Sequence, residues 1–117
     1  MRIHALSNEE CVDFLRDRSL GRLACSHLDQ PYIVPIHFTF EPERRRIYAF
    51  SSVGQKIEWM RQNPAVCVEV DDIPDKDHWT TVLVFGRYRE LERRTEDAEE
   101  RRVAGQLLQK RPEWWLP

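Results

Sequence analysis

The sequence contains no apolar run approaching the roughly 20 residues that span a bilayer, and its opening stretch, Met1 to Glu10, lacks the apolar core of a signal peptide. A soluble, cytoplasmic protein with no membrane partner is therefore expected. A surplus of one charge is also missing: 18 Lys and Arg stand against 20 Asp and Glu, a net charge of -2. That intermixed balance gives no overall field to draw in nucleic acid. Cysteine is scarce. Cys11, Cys25 and Cys67 are odd in number and too widely spaced for a C-x-x-C dithiol or a structural zinc site, so they read as small hydrophobes in a reducing compartment. His4, His27 and His78 share no ligand spacing with them, and no metal is expected. The acidic stretch Asp71 to Asp77 lacks the central glycine and closing glutamate of a calcium loop. Neither a G-x-G-x-x-G nicotinamide fold nor a G-x-S-x-G nucleophile elbow is present.

What is there reads as one domain over residues 1–117, since a chain of 117 residues buries one core and not two. Ser7-Asn-Glu-Glu10 is a capping box, and Cys11, Phe14 and Leu15 follow at helical spacing, which predicts a helix from about Asn8 to Arg18. Gly21 to His27, Pro31 to Phe40, Arg46 to Ser51 and Ala65 to Asp71 read as strands, apolar or alternating and bounded by turn residues. Their short links favour an antiparallel meander. A short helix, Gly54 to Gln62, stops at Asn63-Pro64. Asp71 to His78 is expected as a polar loop, Trp79 to Leu91 as a long strand with a bulge or close approach at Gly86, and Thr95 to Lys110 as a closing helix.

Most of the chemistry gathers in one stretch. From Phe50 to Met60, Ser51, Ser52, Gly54 and Lys56 lie between a strand end and a helix start. Free N–H groups and the positive end of the helix dipole attract an anion there, and hydroxyls and a lysine would add to it. Ser52 as an N-cap and Lys56 as a solvated residue are the plainer alternatives. In the strand Pro31 to Phe40, alternation sets Tyr32, Val34, Ile36, Phe38 and Phe40 on one face and Ile33, Pro35, His37 and Thr39 on the other. Pro35 removes a ladder donor, so this strand lies at an edge or opens around a ligand. His37 is either a structural residue or a proton donor. Trp59, Trp79, Trp114 and Trp115 suit a flat ring, a subunit interface or core packing.

Read together, Gly21-Arg-Leu-Ala24, Gln30-Pro-Tyr-Ile-Val-Pro-Ile-His37, Ile47-Tyr-Ala-Phe-Ser-Ser-Val-Gly-Gln-Lys-Ile57, Asn63-Pro-Ala-Val-Cys67 and Val82-Leu-Val-Phe-Gly-Arg-Tyr-Arg-Glu-Leu91 resemble the pyridoxamine 5'-phosphate oxidase-like superfamily. Within it the chain is most similar to the nitroimidazole-resistance and flavin-nucleotide-binding branch. The resemblance implies a mainly β fold, a six-stranded antiparallel Greek-key-like split β-barrel with flanking helices. It also implies a homodimer holding FMN in two clefts between subunits.

Carried over by position, Ser51, Ser52, Gln55 and Lys56 would hold the FMN phosphate, and Val34, Pro35 and Ile36 would border the isoalloxazine. Trp79 and Thr80 would approach from the partner subunit, and Trp114 and Trp115 would cover the ring. The implied function is an FMN-dependent oxidoreductase reducing a small planar, nitroaromatic-type substrate, with His37 as catalytic proton donor and a reduced nicotinamide as electron donor. The chain is shorter than the vitamin B6 oxidases and lacks their basic C-terminal segment, so pyridoxine phosphate oxidation is not expected. Other members bind a deazaflavin or haem. A non-catalytic flavin or haem carrier is therefore the alternative, with His37 as candidate axial ligand, and a cofactor-free interaction dimer is the third reading.

Overall fold

The computed structural model describes residues 3–50 and 54–109. Helix α1, Asn8–Arg16, begins as the sequence predicts: the Ser7 hydroxyl accepts the Glu10 amide at 3.1 Å, and the Glu10 carboxylate accepts the Ser7 amide at 2.9 Å. Six strands follow, β1 Leu20–His27, β2 Gln30–His37, β3 Thr39–Glu41, β4 Arg46–Tyr48, β5 Ala65–Asp75 and β6 His78–Arg87. Helix α2, Gln55–Gln62, lies between β4 and β5. A 3-10 turn, Thr95–Asp97, leads into α3, Ala98–Gln109.

The strands form a four-stranded antiparallel sheet in the order β2-β1-β5-β6 and a separate two-stranded ribbon, β3-β4. This is the split antiparallel barrel with flanking helices that the resemblance implies. Strand register places Val34, Leu23, Val68 and Val84 side by side across all four strands on the inner face. Leu23 and Val68 are buried there, with Val70 and Val82 beside them, and Val34 and Val84 pack against this core. Phe38 and Phe40 close the core from the β3 side, Ile57 and Met60 from α2, and Leu15 from α1.

Three sequence expectations change. The expected strand Pro31 to Phe40 divides at Phe38, because the alternation ends there: Phe38, Thr39, Phe40 and Glu41 are all buried in succession. The chain leaves the four-stranded sheet at this point and enters the ribbon. Gly21 makes room for the crossing, since a Cβ on it would stand 3.1 Å from the Glu69 carbonyl oxygen and 3.3 Å from the Phe38 ring. The expected polar loop from Asp71 to His78 is instead the end of a long hairpin, with β5 continuing to Asp75 and β6 starting at His78. Asp75 accepts the Asp77 amide and the His78 imidazole, each at 2.8 Å, which closes the turn through side-chain bonds that the acidic composition obscured. The register shift on this hairpin lies between Asp72 and Asp75, not at Gly86, which pairs regularly with Val66 and has open space around it. Proline marked the edge correctly: β2, carrying Pro31 and Pro35, is an outer strand of the sheet.

The β1–β2 link is a two-residue hairpin in which Leu28 and Asp29 both take positive φ, 50° and 66°. That is the primed turn whose twist matches the strands, and it normally carries Asn-Gly. Leu28, 87 % exposed, gains no packing to offset the left-handed backbone. Replacing the pair by L28N/D29G should stabilise the fold by about 1 kcal/mol, roughly 4–8 °C in Tm for a domain of this size, measurable by thermal melting followed by circular dichroism.

Candidate functional site

Where the four-stranded sheet parts from the ribbon, a cleft of about 1410 Å³ opens. One wall is Tyr48, Ala49 and Phe50 at the end of β4 together with Lys56, Ile57 and Met60 of α2. The other is the end of β6, the segment after it and α3. Ile36 from β2 reaches in from the sheet.

Helix α2 starts at this cleft. Its N-cap residue is Gly54, which has no side chain to bond the first turn. Ser51 and Ser52 themselves lie outside the described residues. Lys56, half-buried, lines the cleft as the second residue of the helix, while Gln55 is exposed at the start. The helix is fixed by its far end. Asn63 donates to the Ser26 carbonyl at 3.1 Å and its hydroxyl at 3.2 Å, and the Trp59 ring lies 5.6 Å from Tyr32 and 5.8 Å from His27. Lys56 therefore faces the cleft from the first turn of a helix anchored at its far end, an arrangement that suits a phosphate.

The opposite wall is held by buried acids. Asp97, with no exposed surface, accepts Arg89 at 2.7 Å, the Glu92 amide at 2.8 Å and Arg94 at 2.9 Å. The Glu92 amide, aided by the two guanidinium groups, holds its carboxyl below the ordinary carboxylate range. Glu100, on the next turn of helix, accepts Arg46 from β4, Arg89 at 2.6 Å and the Tyr48 hydroxyl at 2.9 Å. These bonds, led by that from Arg46, bring its pKa down to about 2. Glu100 thus ties α3 to the ribbon and sets the cleft's width.

The other residues expected at the site separate by strand parity. Ile36 lines the cleft and Val34 packs on the core, while Pro35 is exposed on the outer face of β2. His37 shares that outer parity, lies opposite Leu20 and does not line its own chain's cleft; burial pushes its imidazole below the ordinary value. Trp79, exposed, and Thr80 sit at the tip of the β5–β6 hairpin and line no part of this cleft. Trp114 and Trp115 lie outside the described residues.

Sequence reasoning missed the exposed aromatics Phe50 and Phe85, 72 % and 77 % accessible, at the cleft. It also missed the arginines after β6. Alternation along Thr81-Val-Leu-Val-Phe85, with Val82 and Val84 inward, was the available signal for Phe85. Register aligns Ile33, Ala24, Cys67 and Phe85 in one outer row, with Leu83 on the next. Ile33 (65 %), Leu83 (52 %) and Trp79 (42 %) are exposed there, interrupted by Arg22 beside Glu69 and Asp71.

Residues 7–116 match the sequence family described as pyridoxamine 5'-phosphate oxidase. An uncharacterized protein of Rhizobium meliloti (strain 1021) is 44 % identical over 117 residues, which span all of this chain and 76 % of that protein. Among solved structures, a FAD-binding protein from Mesorhizobium loti superposes with a TM-score of 0.80 at 41 % identity, covering 96 % of this chain and 80 % of that one. The FAD-binding protein from Mycobacterium smegmatis does so with a TM-score of 0.70 at 29 % identity, covering 87 % and 84 %.

A depressed carboxyl stabilises the fold above its unfolded pKa and loses that contribution as pH falls towards its folded value. For Glu100 the window runs from the ordinary carboxylate value of 4.5 down to about 2. Glu100→Gln should cost about 1–3 kcal/mol at neutral pH, and the deficit relative to wild type should shrink through that window. Chemical denaturation at a series of pH values measures it; a pH-independent deficit would contradict the charged hydrogen-bond network.

Proposed function

Because this chain belongs to the pyridoxamine 5'-phosphate oxidase family, we propose that it is a flavin-dependent oxidoreductase that holds FMN, or the FMN portion of a larger flavin, in the cleft beside α2. The single observation that carries the reading is Lys56, in the first turn of α2, lining a cleft with open volume. The residues present fit the cofactor: a lysine in the first turn of a helix, with Gln55 exposed beside it, suits a phosphate monoester, and Ile36, Ile57 and Phe50 suit an apolar ring. Two relatives whose structures share the fold are named FAD-binding, which supports a flavin here. When bound, the flavin supplies a ring that takes up and returns two electrons as hydride. The chain's own part is to anchor the phosphate through Lys56 and Gln55, to orient the ring against Ile36 and to keep water from it with aliphatic side chains.

The reading extends to a homodimer through the outer face of the four-stranded sheet. Ile33, Leu83 and Phe85 are exposed apolar side chains on that face, and exposed apolar surface of that kind marks an interaction surface. Pro35, His37 and Trp79 share this outer side, so in a dimer they would meet the partner's cleft rather than their own. On this reading His37 donates a proton to a nitroaromatic-type substrate bound across the interface, and a reduced nicotinamide delivers electrons at the open flavin face. A haem would need an axial ligand, and His37 does not line its own chain's cleft.

Two experiments test the proposal. FMN added to the purified chain should bind with flavin absorption bands, and Lys56→Ala should weaken it at least about tenfold, the loss expected for one charge-assisted contact; unchanged affinity in fluorescence titration rejects the phosphate assignment. Phe85→Glu should convert a dimer to a monomer in sedimentation and lower flavin affinity with it. A variant that stays dimeric with full flavin content removes this face from the interface.

A further inference from the structure

We propose that the outer face of the sheet seats a second copy of the chain on the cluster of Arg22, Glu69 and Asp71, and that each copy takes up a proton between its two carboxyls as the dimer forms. The inference rests on the reading that this face is the dimer interface, and it names what regulates that interface. Around the cluster the face is apolar: Ile33 of β2, Leu20 of β1, and Trp79 and Leu83 of β6 are exposed on it. A charged group inside such a face is costly to cover unless its charge is answered.

Register puts Arg22 directly opposite Glu69 on the neighbouring strand, and Asp71 follows Glu69 two residues along the same face. The Arg22 guanidinium lies 3.8 Å from Glu69 and 3.7 Å from Asp71, too far to hydrogen-bond either. One cation thus stands between two acids and answers half their charge. Oε1 of Glu69 is buried and has no donor among the described residues. The Asp71 carboxyl is within hydrogen-bonding reach of Glu69, and two carboxyls bond each other only when one carries a proton. A proton held between them satisfies the orphan oxygen and brings the cluster to neutrality.

Among the described residues no other charge answers the pair. Leu83 and Thr81 lie opposite Glu69 and Asp71 on β6. Pro35 lies beyond Arg22 on β2, with His37 next on that face, its imidazole pushed below the ordinary value by burial. Cys67, the preceding outward residue of β5, is held neutral, its thiol pushed up by burial and by Glu69. Asp72 has the inward parity and pairs with Arg18 at 3.2 Å. In the free chain the bond with Asp71, then burial and the Asp71 charge, already raise the Glu69 carboxyl above its ordinary value against the pull of Arg22. About a two-fold axis this patch meets its own equivalent, so each Arg22 faces the other copy's carboxyls while acids still outnumber arginines. Covering the acids from water and adding like charge raises the carboxyl further. An acid whose pKa is higher in the dimer takes up protons on association, so the dimer is strongest at low pH and weakens as pH rises through a window above 4.5.

Sedimentation of the full chain from about pH 5 to about pH 8, as wild type and as Glu69→Gln, is the experiment, a range above the one in which Glu100 loses its charge. The wild-type dimer should weaken at least about tenfold across that range, and dilution calorimetry in two buffers of different ionisation enthalpy should show protons taken up on association. Glu69→Gln, whose amide donates to Asp71 as a protonated carboxyl does, should dimerise at the upper pH as tightly as wild type does at the lower. A wild-type dimer indifferent to pH, one that tightens as pH rises, or a slope retained in Glu69→Gln overturns the proposal and leaves the dimer face standing. A chain that is monomeric across the range rejects the dimer reading, and the proposal falls with it. If Glu69→Gln folds poorly, the calorimetry on wild type decides: association without proton uptake overturns the proposal.

Discussion

Four consecutive buried residues, Phe38 to Glu41, impose the constraint from which the rest of the molecule follows. A strand with one wet face alternates, so four inward residues in a row require the chain to leave its sheet. Phe38 crosses through space that only a glycine leaves open, with the place of a Gly21 Cβ crowded by the Glu69 carbonyl oxygen, Phe38 and Val68. Because the chain departs there, β3 and β4 form their own ribbon instead of extending the large sheet, and the barrel stays split. The Glu41 carboxylate, otherwise buried alone, accepts the Arg44 amide and lies 3.5 Å from the Arg44 guanidinium. A buried acid is thus satisfied within the turn that reverses the ribbon.

The split leaves an edge to be managed, and the acids of α3 manage it. Asp97 gathers the segment after β6, and Glu100 joins that segment to β4 through Arg89, Arg46 and Tyr48. The bonds from Arg46 and Tyr48 to Glu100 cross from the ribbon and set the separation of the walls, while those of Arg89 and Glu92 hold one wall together. It also divides the arginines into two kinds. Those facing Asp97 or Glu100 are structural and neutralised, and those beyond their reach give the cleft its charge. Composition could not reveal this division, because a balanced total says nothing about where the unpaired members collect.

The sequence carried the fold well where one physical signal dominated. The capping box located α1, Pro35 pointed to β2 as an edge, and Asn63-Pro64 ended α2. It misled where two signals competed. Acidic residues from Asp71 to Asp75 looked like a solvated loop because polarity outweighed the strand pattern, yet Asp75 uses its carboxylate to close a hairpin turn. The break at Phe38 was hidden for the opposite reason, since Phe38 and Phe40 continue a perfect alternation in sequence while the backbone turns beneath them. At the site, Lys56 and Ile36 were legible from local pattern and resemblance. Arg93 and Arg101 were not, because a charged helical stretch reads the same whether its cations face solvent or a cleft.

Strand parity then explains why residues adjacent in sequence belong to different surfaces. Ile36 faces inward to the cleft, whereas Pro35 and His37 face out, and the same rule separates Trp79 from Thr80. A motif such as Val34-Pro-Ile36 cannot place all its side chains on one ligand within one chain. If the whole motif serves a single flavin, the backbone of β2 or a second subunit must supply the missing contacts. The edge position of β2 permits this, because its outer rim is not occupied by a further strand of the same sheet. On the proposed flavin reading, the apolar outer face and the charged cleft are two halves of one requirement: the cleft would hold the anion, and the outer face would let another copy complete the site.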